Sequence, residues 1–321
     1  MSYRRCMPSN PPYPSSLNSS VDALEQSCAS PALQRLRCLI ILTKPRLAFF
    51  SLLSAACGYA ASVDRFEWIL FGSAMVGTAA AAGGALSLNH WWERRSDAWM
   101  RRTRARPLPS GQLAAPVALA WSLVLSMVGV VLLGVVFGAM SAGLAASTIL
   151  LYGCVYTPLK RRTRWATEVG SLSGALPPLI GSAAAGNVFS QPALILFALL
   201  IFWQMPHFFA IGWMHREDYR RAGFPLLPAV DVTGKAVALW SLAYSVLLLC
   251  TPWVAWLLGA CGPVFVIIAT FGAVFMVYQS ARMGFCENRS KNVARRLFLA
   301  TLFYLPPVMM ALWVENLFRG P

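Results

Sequence analysis

The sequence predicts an all-α integral membrane protein of about nine transmembrane helices, and three observations predict it. Of the 321 residues, 57% are hydrophobic and only 12% charged, roughly half the charge of a soluble domain. The apolar residues gather into runs near the roughly 20 residues that a helix needs to cross the hydrocarbon core. All but Arg65 and Arg319 of the 27 Lys and Arg then fall on one side of the topology those runs imply, the bias that orients membrane helices.

In chain order, residues 1 to 37 are rich in Ser, Pro and Asn with no apolar core segment, and read as a flexible tail. The tail has no apolar stretch of the kind a secretory signal carries. Arg4, Arg5, Arg35 and Arg37 are offset by Asp22 and Glu25 without a basic amphipathic helix, which argues against a transit peptide and for a bacterial inner membrane over a mitochondrial one. Residues 38 to 321 form one domain. Its spans are Leu47–Val63, Trp68–Leu88, Val117–Gly138, Ala142–Tyr156, Val169–Ala185, Ala193–Met214, Ala236–Leu258, Pro263–Gln279 and Leu297–Leu317. The fifth holds Gly170, Gly174, Pro177, Pro178 and Gly181, so a kinked, tightly packed helix is expected there. The tail and the loops after spans two, four, six and eight carry nearly all the basic residues, which places them and the N-terminus in the cytoplasm, or in the matrix for a mitochondrial protein. The net charge of +15 therefore reflects membrane orientation, not nucleic-acid binding. The eight cysteines form no CxxC pair and lie mostly in or beside apolar spans, where Cys is a small hydrophobe, so neither a disulfide framework nor a zinc site is expected.

The densest chemistry follows span two. Asn89, Glu93 and Asp97 are four apart, so on a helix they lie within about 80° of one another over about 12 Å. Two acids and an amide oxygen on one stripe suit Mg²⁺, a hard cation that takes oxygen ligands and shares them with substrate phosphates. Arg101, Arg102, Arg104 and Arg106 follow at once, as an anionic phosphate ester would require; a boundary segment with snorkelling arginines would look similar. After span four, Lys160 and Arg161 suit a diphosphate or a positive-inside stop, and Tyr156 sits four residues before Lys160. At the end of span six, Asp218 beside Glu217 offers a second acidic site on the same side. His207 lies inside that span, where a polar side chain is either functional or bonded to a neighbouring helix. The loop from Arg282 to Arg296 reads as a solvated face.

At these residues the chain resembles a known family. Asn89-x₃-Glu93-x₃-Asp97, followed by Met100-Arg-Arg-Thr103-x₂-Arg106-Pro-Leu-Pro-Ser-Gly111, resembles the first acidic motif of UbiA-type intramembrane prenyltransferases. It is most similar to the haem O synthase (protohaem IX farnesyltransferase) branch. Leu42-Thr-Lys-Pro-Arg46, Tyr156-Thr157-x₂-Lys160-Arg161, Gly174-Ala175-x-Pro177-Pro178, Pro206-His207-Phe208 and Asp218-Tyr219-x₂-Ala222-Gly223-x-Pro225-x-Leu227-Pro228 match that branch in content and order, from about residue 38 to the C-terminus. Two positions depart from pattern. Ala222 stands four residues after Asp218, where the wider superfamily has a second Asp, which thins the second metal site. Leu226 stands where the branch usually has Met, a swap of similar volume.

The resemblance implies a UbiA-type bundle with a cytoplasm-facing active-site cavity. It implies farnesyl transfer from farnesyl diphosphate to a vinyl group of haem B, with water, giving haem O. Asn89, Glu93, Asp97 and Asp218 would hold Mg²⁺. Arg101, Arg102, Arg106, Lys160 and Arg161 would take the diphosphate. Tyr156, Trp203, His207 and Tyr219 would face the allylic cation or the haem. Implied partners are the lipid bilayer and the haem A synthase or oxidase assembly factors. A prenyltransferase acting on an aromatic quinone precursor and a non-catalytic haem-handling membrane protein are the competing readings. No pair of matching broken helices in the two halves favours a transporter.

Overall fold

The computed structural model describes residues 30–286 and 290–319. Residues 1–29, and with them most of the expected tail, lie outside the described residues, as does Glu287 of the basic loop. The helices are α1 (Pro31–Leu42), α2 (Pro45–Ala60), α3 (Trp68–Asp97), α4 (Ala115–Phe137), α5 (Ala139–Leu159), α6 (Ala166–Ala175), α7 (Pro177–Ala184), α8 (Gln191–Met214), α9 (Arg216–Arg221), α10 (Leu227–Val230), α11 (Lys235–Leu257), α12 (Pro263–Phe285) and α13 (Lys291–Arg319). No strand occurs among the described residues.

Among the described residues seven helices are long and apolar enough to cross a membrane, and the pair α1 and α2, bent by 50°, reaches that length and apolarity only when taken together. The chain is a multi-pass membrane protein. The expected fifth span is built differently: it is two short helices, α6 of 10 residues and α7 of 8, meeting at Leu176. Pro177 and Pro178 open α7; they lack the N–H groups a continuous helix would use, and they suit a first turn. The chain also turns helical before residue 38, because Ser30 caps the Leu33 amide and Pro31 opens the first turn of α1.

Close packing rests on small residues. A Cβ on Gly58 of α2 would stand 2.1 Å from the Pro178 carbonyl oxygen, and one on Gly181 of α7 would stand 1.9 Å from the Ala55 carbonyl oxygen. The α2 and α7 backbones therefore touch. Gly129 of α4 sits likewise against Ala81 of α3. Such contacts let membrane helices gain dispersion energy where lipid offers no hydrophobic drive. The main core, from Ile195 and Leu199 of α8 through Leu248, Phe265 and Met276 to Tyr304 and Leu312 of α13, holds the other half together.

One helix is irregular at a useful place. Leu150–Tyr156 in α5 is a π-helical segment. Pro158 has no N–H to give the preceding turn, and the Tyr152 carbonyl accepts from both the backbone and the hydroxyl of Thr157, the latter at 2.8 Å. Such widened turns often carry site residues, and this one delivers Tyr156 and Lys160.

Gly181→Ala is expected to lose roughly 1–3 kcal/mol from overpacking, read as a lower unfolding temperature in detergent. Gly143→Ala, where a Cβ meets nothing within 4 Å, is the control; equal shifts in the two variants would refute the close approach of α2 and α7.

Candidate active site

The last two turns of α3 carry the expected stripe. Asn89, Glu93 and Asp97 are 1%, 7% and 0% exposed. Carboxylates buried this deeply are costly unless paired and hydrogen-bonded, and a cation from a different connection reaches each member. Lys44 Nζ donates to Asn89 Oδ1 at 2.7 Å, Lys160 Nζ to Glu93 Oε1 at 2.8 Å, and Arg106 Nη1 to Asp97 Oδ2 at 2.7 Å. Asn89 Nδ2 in turn donates to Thr157 Oγ1 at 3.0 Å.

Local backbone chemistry aims each cation. Lys44 sits between α1 and α2 in the left-handed region at φ 46°. Pro45 disfavours the right-handed helical region for the residue before it, and the kink turns the ammonium towards α3. After α3 the chain coils in successive turns: Thr103 and Arg104 amides bond the Met100 carbonyl, the Arg106 amide bonds that of Thr103, and Thr103 Oγ1 donates to the Asp97 carbonyl at 3.0 Å. This coil brings Arg106 back over its own helix end. Lys160 lies over the Tyr156 ring at 4.3 Å, and Arg161 donates to Ser96 of α3. Burial alone would lower the Lys160 ammonium, but Glu93, then Tyr156, Tyr152 and Tyr219, hold it well above the ordinary lysine range. A cavity of about 190 Å³ opens onto Glu93 between α3 and the end of α5, lined by Trp92, Thr157, Pro158, Arg161 and Arg162.

The loop after α8 joins this site through packing. Met100 is buried with Ala222, Phe224 and Leu226, and Tyr156, Tyr219 and Leu159 pack on them. Tyr156 and Tyr219, distant in sequence, thus share one cluster beside Lys160. His215 falls below the ordinary imidazole range, through burial first and Arg102 next, so the coil after α3 also lies near the end of α8. Arg101 and Arg102 are exposed on that coil. Asp218 is not bonded to the stripe: its side chain pairs with Arg221 on its own short helix at 3.4 Å. Trp203 and His207 form a separate group against α13. Trp203 Nε1 donates to the Thr301 carbonyl at 2.7 Å, and the two rings stack at 5.1 Å. His207 Nδ1 and Thr301 Oγ1 are 2.8 Å apart, and that hydroxyl donates to the Phe298 carbonyl; Nδ1 is therefore the donor, and Nε2 keeps its lone pair.

Among the described residues no three His, Cys, Asp or Glu side chains cluster as a ready metal cage. The donor set still fits Mg²⁺ shared with a phosphate ligand: Asp97 Oδ1 is buried without a partner among the described residues, and the stripe offers hard oxygen ligands. Sequence reasoning gave no role to Lys44, Ser96 or Thr157, although Lys44 and Thr157 fall inside two of the motifs that resemble the family; Ser96 carried no signal beyond its place on α3.

Fold and site together define a membrane-embedded protein built to handle an anionic phosphate ester at one face of a helical bundle. The chain belongs to the UbiA prenyltransferase family, whose model matches residues 50–304. It is 38% identical over 281 residues to a protoheme IX farnesyltransferase of Solibacter usitatus, covering 84% of this chain and 96% of that one. It is also 38% identical over 277 residues to one of Opitutus terrae, covering 86% and 94%. Among solved structures, a digeranylgeranylglyceryl phosphate synthase aligns with TM-score 0.73 at 17% identity, over 88% of this chain and 98% of that one. A UbiA homolog from Archaeoglobus fulgidus bound to DMAPP and Mg²⁺ aligns with TM-score 0.59 at 11% identity, over 86% and 99%.

Lys160→Met strands a buried Glu93 carboxylate and is expected to cost roughly 3–5 kcal/mol. Adding Glu93→Gln should return much of the loss, so the double variant should unfold well above Lys160→Met. Additive losses would show that the pair carries no coupling.

Proposed function

We propose that the chain transfers the farnesyl group of farnesyl diphosphate to a vinyl group of haem B, with addition of water, to give haem O. The likeness to protoheme IX farnesyltransferases along nearly their whole length carries the choice of substrates. The buried stripe with its three cations carries the choice of chemistry.

Lys44, Arg106 and Lys160, with Arg161, Arg101 and Arg102 around them, bind the diphosphate and stabilise the charge it gains as the C–O bond breaks. Asn89, Glu93 and Asp97, with Asp218 from α9, would hold Mg²⁺. Bound Mg²⁺ supplies further charge neutralisation on the leaving diphosphate. Ionisation leaves an allylic cation, which aromatic faces stabilise; Tyr156 and Tyr219 stand beside Lys160 for this, and Trp203 lies deeper. His207, oriented by Thr301 with Nε2 available, orients or ligates the haem. No side-chain nucleophile takes part: the vinyl group attacks the cation and water completes the hydroxyethylfarnesyl chain. The basic side faces the cytoplasm of a bacterial cell, and the product passes on to the haem A synthase or oxidase assembly factors.

Membranes containing the chain, given haem B and farnesyl diphosphate with and without Mg²⁺, should yield haem heavier by one farnesyl and one hydroxyl group only with Mg²⁺, read by mass spectrometry. Asp97→Asn should lower turnover on the order of 10²-fold or more while the protein still inserts, and Asp218→Asn should lower it too. Diphosphate release without altered haem would move the acceptor elsewhere. Normal turnover in Asp97→Asn would refute the role of the stripe.

A further inference from the structure

His90 has no role in the reaction as described, yet it is the most anomalous polar side chain near the site. It is 2% exposed, and neither ring nitrogen has a hydrogen-bond partner among the described residues. Buried polar groups are almost always paired, and each exception needs an explanation. On α3, at about 100° per residue, His90 lies within about 20° of Asp97 and about 60° of Glu93. It therefore shares the stripe's face, one turn further into the membrane than Glu93. The charges that bear on it are Lys44, Arg106 and Lys160, the same three that hold the stripe. One more turn inward, and about 60° further round the helix from the stripe than His90, Ser87 Oγ is also buried without a partner among the described residues. Residues three apart on a helix are neighbours, with Cβ atoms about 5–6 Å apart.

The proposed reaction has an unassigned participant at this depth. The diphosphate sits at the stripe, and the reacting farnesyl carbon is bonded to it, with the isoprenoid chain running into the membrane. The new C–C bond thus forms just membrane-side of Glu93. As the C–O bond breaks, its electron pair leaves with the diphosphate. The vinyl π pair forms the bond to the farnesyl carbon and leaves a cation on the carbon joined to the macrocycle. A water oxygen bonds to that carbon, and the proton it sheds goes to the departed diphosphate. A water fixed in a buried site needs two to four polar partners, and the two ring nitrogens of His90 and Ser87 Oγ are buried polar atoms at this depth.

Resting on the proposed haem farnesylation, we propose that His90, with Ser87, positions the water that completes the product. His90 acts here as a hydrogen-bonding positioning residue: without it the cation sheds a proton instead of gaining water, and the product is one water lighter.

The test measures diphosphate release and extracted haem mass side by side, for the wild type, His90→Phe and His90→Gln. His90→Phe should still release diphosphate but lower the ratio of hydrated to dehydrated farnesyl haem by about tenfold or more. His90→Gln, which keeps a polar group at the same depth, should restore most of the hydrated product. A wild-type product ratio in His90→Phe would overturn the proposal, and so would equal loss of diphosphate release in both variants, since His90 would then serve binding or folding. If the wild type releases diphosphate but yields no farnesylated haem, the parent reading fails and this one falls with it, a result distinct from an unchanged ratio.

Discussion

The structure depends on neutralising the acidic end of α3. Glu93 and Asp97 are buried at the C-terminal end of a 30-residue helix, where the helix's unsatisfied carbonyls already concentrate negative potential. Unpaired, each carboxylate would cost several kcal/mol. The pairing cations come from three separate connections: the break between α1 and α2, the coil after α3, and the end of α5. The interaction that makes burial tolerable therefore also fixes these connections against one helix. Site and fold share the same bonds.

The second half of the bundle is organised on other terms. Its core is apolar and continuous from α8 through α13, and its polar elements, Trp203, His207 and Thr301, are bonded among themselves. What links the two halves at the basic side is packing, through Met100, Ala222, Phe224 and the rings of Tyr156 and Tyr219. A charged half suited to a head group and an apolar half suited to rings and chains match the proposed substrate, a diphosphate on an isoprenoid.

Much of this was legible in the sequence, because membrane chemistry writes in long, simple signals. The apolar runs gave the spans, the Lys and Arg bias gave the basic face, and four-residue spacing on a helix gave the Asn89, Glu93 and Asp97 stripe. What was hidden depends on backbone geometry that periodicity does not carry. Lys44 reaches Asn89 only through a left-handed residue before a proline. The π-helical turn that sets Lys160 against Glu93 comes just before Pro158, whose missing N–H leaves no mark on the apolar periodicity. The twin proline at 177 announced a kink but not a complete break into two helices. Nor did spacing give the pairing of Asp218, whose side chain meets Arg221 one turn along its own six-residue helix.

The charge count at the stripe explains why such a cluster reads as a binding site and not merely as a structural clasp. Three cations meet two carboxylates and one neutral amide. Glu93 and Asp97 answer Lys160 and Arg106, but Lys44 rests on the amide of Asn89. Lys44 is thus the one of the three whose hydrogen bond goes to a neutral group, and Asp97 Oδ1 meanwhile lacks a partner among the described residues. A purely structural network would be selected to close both accounts internally, for instance with an acid in place of Asn89, since a buried charge without a counter-ion is destabilising. Here a cation bonded to a neutral amide and a spare carboxylate oxygen lie along the same stripe, and together they suit an anion that brings its own hard cation. A metal-bound diphosphate meets both demands in a single ligand, whereas a bare anion or a bare metal ion meets only one.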